Sequence, residues 1–124
     1  MPEKLNWSYA AQVVGGPTLA ASGALDVEAY LKLTVTVPAG GSLDVEVLPG
    51  GGGSVQLLVI NPAVPSEDLT YTVGTEEVVL DGPHVLIGAG AVGLLAGTVG
   101  TLTFDNAGAE DAEIAILAGR DATP

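Results

Sequence analysis

The only imidazole in this sequence of 124 residues is His84. An imidazole can act as a general base or a metal ligand, but only beside suitable partners. A Ser–His–Asp arrangement would have to join His84 to Ser8, Ser22, Ser42, Ser54 or Ser66. None of these serines stands in the G-x-S-x-G turn that exposes a nucleophile. Asp44 and Glu46 would share one face of a strand, about 6.5–7 Å apart. That spacing approaches the one used by paired glycosidase carboxylates. Their face also carries threonines and Lys32, so it reads as a solvated face. The run "DNAGAED" offers Asp105, Asn106, Glu110 and Asp111 as oxygen donors. Calcium takes about six to eight oxygens. The spacing is out of register with an EF-hand loop, and a plain connecting loop is the simpler reading. No catalytic or cofactor-binding residue is assigned, no cofactor is expected, and the chain is expected not to be an enzyme.

The segment "HVLIGAGAVGLLAG" contains Gly88, Gly90 and Gly93 in G-x-G-x-x-G spacing. Over about ten residues it resembles the first turn of dinucleotide-binding folds. That fold needs a strand, a tight glycine turn and a crossover helix whose N-terminus meets the pyrophosphate. Asp105 or Glu110 could be forced into the acidic role that follows. The context opposes it. "LLAGTVG" stands where the helix interior belongs, and each glycine there costs about 1 kcal/mol relative to alanine. A crossover needs at least about 10–12 residues. The interval from Gly93 to the strand-like "TLTF" is shorter than that. The glycines are expected to serve bends, bulges or close packing, without a nucleotide.

Elements that could position any site read as strands. "YLKLTVTV" sets Leu31, Leu33, Val35 and Val37 against Lys32, Thr34 and Thr36. "SLDVEV" sets Leu43, Val45 and Val47 against Asp44 and Glu46. A period of two marks half-buried antiparallel strands. "PAGGS" between them predicts a hairpin that places Val35 opposite Val45 and Thr34 opposite Glu46, with Lys32 diagonal to Glu46. "LNWSYAAQV" alternates Leu5, Trp7, Tyr9 and Ala11 against Asn6, Ser8 and Ala10. "SVQLLVI" is apolar on both faces after Gln56, as in a central strand or one covered by a neighbour. "DLTYTV", "EEVVL", "TLTF" and "EIAIL" complete the set, separated by turn-rich segments. The expected fold is an all-β antiparallel sandwich of eight to ten short strands over residues 1–124, with the jelly roll among its possible windings.

Composition bears on partners. Three basic residues face 15 acidic ones, for a net charge of −12. Such a surface repels nucleic acid and anionic lipid, so neither is an expected partner. The first residues contain no apolar leader, and no apolar run reaches a membrane span of about 18 residues. Cytoplasmic or particle-associated placement is therefore expected. There is no cysteine, which removes disulfides and thiolate metal sites. Hydrophobic residues make up 48%, too many for a disordered acidic chain. Charged residues are only 15%, against about 25% in ordinary domains. A small domain cannot hide that much apolar surface alone. The expectation is a structural or interaction subunit: a homo-oligomer, a trimer before a dimer, or part of a shell, fibre or virion-like assembly. "VQLLVI" and "VLIGAGAVGLLAG" are the expected contact segments, with acidic residues held away in loops such as 105–111. The alternative is a ligand-binding sandwich module for carbohydrate or calcium. Few aromatic residues remain to form a sugar platform once a core is filled.

Overall fold

The computed structural model describes residues 3–47, 54–95 and 100–121. It is nearly all antiparallel β. The strands are β1 (Glu3–Gln12), β2 (Thr18–Val27), β3 (Ala29–Val37), β4 (Ser42–Glu46), β5 (Ser54–Pro62), β6 (Leu69–Val73), β7 (Glu76–Val79), β8 (His84–Ile87), β9 (Thr101–Asn106) and β10 (Ala112–Asp121). One helical turn, α1 (Ala89–Val92), follows β8. Two four-stranded sheets, in orders β3-β10-β5-β8 and β4-β9-β6-β7, form a sandwich. β1 and β2 form a separate two-stranded ribbon.

Alternation decides which side chains enter the core. Val37, Leu58, Ile60, Ile114 and Ile116 of the first sheet meet Val45, Leu69, Tyr71, Leu102 and Phe104 of the second. Leu33, Val35 and Leu43 pack against the same cluster, as their spacing requires. Burying one large apolar side chain of this kind stabilises the fold by about 1.5–3 kcal/mol. β5 is central, between β10 and β8, which explains its apolar text. A register shift between Gly119 and Arg120 sets Val55 opposite Arg120 and returns it to the core.

The hairpin between β3 and β4 does not form. Val35 pairs with Ile114 and Thr34 with Ala115, while Val45 pairs with Leu102 and Glu46 with Thr101. Lys32 stands opposite Leu117, in the other sheet from Glu46. Residues 38–42 carry the chain from one sheet to the other. The Gly41 amide donates to the Pro38 carbonyl, and Gly40 has φ 69°. A corner between sheets and a hairpin within one sheet use the same turn residues. Both strands keep their apolar faces inward, so alternation alone cannot separate the two.

The chain is wound in nested pairs: β3 with β10, β4 with β9, β5 with β8, and β6 with β7. Side-chain hydrogen bonds join the two sheets: the Asn106 amide nitrogen on β9 donates to the Val37 carbonyl on β3 at 3.1 Å. The Tyr71 hydroxyl on β6 lies 2.7 Å from His84 Nδ1 on β8.

Candidate functional site

The ribbon is amphipathic. Leu5 faces Leu25, Trp7 faces Gly23, Tyr9 faces Ala21 and Ala11 faces Leu19 on one side. The other side carries Asn6 with Ala24, Ser8 with Ser22, and Gln12 with Thr18. Trp7 lies over Gly23, where a Cβ would come within 2.6 Å of the indole. Trp7 and Tyr9 stack with near-parallel rings, their centroids 6.0 Å apart. Among the described residues the ribbon is anchored at its base. The Glu28 amide donates to the Arg120 carbonyl at 2.9 Å. Leu5 and Val27 close over Gly119, on the outer face of the β3-β10-β5-β8 sheet; any side chain at Gly119 would collide with them.

Beyond that base the apolar side is open. Tyr9 is 44% exposed, Leu19 66% and Val14 at the tip 100%. From Leu5 to Leu25 there is no Asp, Glu, Lys or Arg, in a chain carrying −12. Lys4 and Asp26, paired across the ribbon, bound this uncharged stretch. A two-stranded ribbon is at best marginally stable in water by itself. Among the described residues neither β1 nor β2 pairs with a third strand.

The outer faces of the sandwich differ. That of β4-β9-β6-β7 carries exposed Asp44, Glu46, Glu77 and Asp105 among threonines, and no basic residue lies on those strands. That of β3-β10-β5-β8 is apolar at its centre. Val59 on β5, Val85 on β8 and Leu117 on β10 stand side by side in register. Val85 is 51% exposed. Among the residues whose side chains are described, Lys32 and Glu113 are the charged ones on this face, both toward the β3 edge. The acidic charge thus sits on a whole sheet face as well as in loops.

The chemical candidates are held by structural bonds. His84 is engaged by Tyr71, which is fully buried. Desolvation pushes the Tyr71 hydroxyl up to about 12. It therefore keeps its proton at ordinary pH and stays hydrogen-bonded to His84 Nδ1. Asn106 is buried; its amide nitrogen donates to the Val37 and Glu110 carbonyls, and its Oδ1 accepts from the Gly108 amide. Asp111 Oδ1 accepts from the Ala39 amide at 3.0 Å. Asp105 alternates with Asn106 on β9 and points to the opposite, outer face. Of the calcium candidates, Asn106, Glu110 and Asp111 line one pocket beside Asp68, and Asp105 stands apart from it. Among the described residues no group of three or more His, Asp or Glu side chains could hold a metal. Asp44 and Glu46 are exposed on their sheet face.

The glycine segment forms a strand antiparallel to β5 and then a single helical turn. Gly88 has φ 97°, a bend open to glycine, and its amide donates to the Gln56 carbonyl. Val92 enters the core, while Leu94 is exposed. Residues 96–99 of this expected contact segment lie outside the described residues.

The ribbon is what sequence reading missed. β1 was legible from its alternation. β2, "TLAASGALDV", was not, because alanine, glycine and serine give weak strand signals. The signal that finds it is the uncharged run itself, beside the alternation of Leu19, Ala21, Gly23, Leu25 and Val27. No family model and no curated protein matches this chain.

Proposed function

We propose that this protein is a non-enzymatic structural subunit that self-associates through its ribbon. The observation that carries this reading is the uncharged, apolar ribbon side left open on a strongly acidic chain. Like-charged copies repel across most of their surface. Contact is cheapest where charge is absent, and interface centres are depleted in charge. His84 and Asn106, the groups best suited to chemistry, are occupied in holding sheets and loops together, which supports a structural role. The nested strand pairing supports reading the sandwich as a jelly roll. A closed ring is the expected assembly, a trimer before a dimer.

Light scattering at low micromolar concentration and moderate salt tests this reading. A mass near three chains, each of 12.3 kDa, is expected. A mass of one chain overturns it.

A further inference from the structure

Resting on that reading, we propose that the ribbon of one copy lies apolar side down on the outer face of the β3-β10-β5-β8 sheet of a second copy. Trp7, Tyr9 and Leu19 would cover Val59, Val85 and Leu117.

Charge selects this pair of surfaces. The ribbon carries no charge between Leu5 and Leu25, and the centre of the receiving face carries none. The other sheet face, with Asp44, Glu46, Glu77 and Asp105, would leave carboxylates desolvated beneath an apolar cover.

The molecule already shows this docking mode. Leu5 and Val27 at the ribbon base pack on Gly119 of the same outer face. Leu117 is the next outward residue of β10, with Val59 and Val85 beside it. The protein's own ribbon leaves Val85 and Leu19 both exposed, so a second ribbon has room beside the first.

Reach and area agree. A strand of 10 residues such as β1 spans about 33 Å. Crossing four strands takes about 15 Å. The extended ribbon leaves Tyr9, Val13, Val14 and Leu19 exposed, apolar area that a contact can bury. A standard interface buries about 800 Å² on each partner. Ribbon on sheet is a head-to-tail contact, and such contacts build rings when the rotation closes.

The chain has no cysteine, so single cysteines report contacts cleanly. L19C and V85C are made separately, mixed, allowed to exchange and oxidised. Both positions are exposed, and light scattering confirms the mass of each variant before oxidation. A disulfide-linked pair of chains in the mixture, at least tenfold above either variant alone, is expected. Cross-linking in L19C alone at the level of the mixture means ribbon meets ribbon; the docking proposal then falls and self-association stands. A multi-chain mass with no cross-link in the mixture has the same meaning. A single-chain mass overturns both.

Discussion

The Tyr71 hydroxyl and His84 Nδ1, 2.7 Å apart, tie one sheet of the sandwich to the other. Their rings also meet edge to face, with centroids 5.5 Å apart. Tyr71 further contacts Phe104 across a tilted stack. A phenol hydroxyl both donates and accepts, so it pairs with either tautomer of the neutral imidazole. The residue that most resembles a catalytic base is thereby engaged by a core hydroxyl.

Replacing Tyr71 by Phe keeps the ring and deletes the bond. His84 is only half-buried and regains water, so the expected cost is about 1 kcal/mol. Urea denaturation reads it as a lower midpoint with an unchanged slope.

Alkaline pH should act through the same hydroxyl. Its value is raised from 10.0 to about 12 by desolvation. The stability it contributes is fully present below pH 10. Above that, the unfolded chain releases this proton while the folded chain holds it, so stability falls as pH rises from 10 toward 12. Thermal melts should show the decline, and Tyr71→Phe should flatten part of it. An ultraviolet titration of the folded protein should show a tyrosine phase near pH 12 that Tyr71→Phe abolishes.

Asn106→Ala should be among the costliest single changes at the strand ends. It strips partners from the Val37 and Glu110 carbonyls and the Gly108 amide together. The expected loss is about 2–3 kcal/mol, read by denaturant midpoint. Millimolar calcium should leave the melting temperature of the unaltered protein unchanged. A calcium-dependent rise would return Asp105, Glu110 and Asp111 to consideration as ligands.

Gly119→Val should loosen the ribbon before the sandwich. Its side chain would displace Leu5 and Val27 at an expected cost of about 1–3 kcal/mol. Limited proteolysis should cut within residues 5–25 while the sandwich survives. Trp7, the sole tryptophan, should report the change by fluorescence.

Which side of each strand faces the core was legible, because a period of two exposes it directly. Leu33, Val35, Val45 and Val47 all face inward as their spacing requires. Partner choice was not legible. β3 meets β10, near the far end of the chain, and local text cannot encode a contact at such separation. "PAGGS" looked like a hairpin because a sheet-to-sheet corner demands the same glycine and proline chemistry. For the site, composition points to excess apolar surface, and the leucine- and valine-rich runs carry the strongest local signal of it. Val59 and Val85 do lie on an outer face. Much of the open apolar surface is instead built from alanine, glycine and one Trp–Tyr stack on the ribbon, where small residues leave the backbone approachable.

Sedimentation velocity of the intact protein beside L19E tests ribbon-mediated association most directly. Leu19 is exposed at the open end of the ribbon, so a carboxylate there should leave the melting temperature of an isolated chain nearly unchanged. The intact protein is expected to sediment as a multi-chain particle and L19E as a single chain. Equal sedimentation of the two, whether both single or both assembled, would contradict the ribbon as the assembly element.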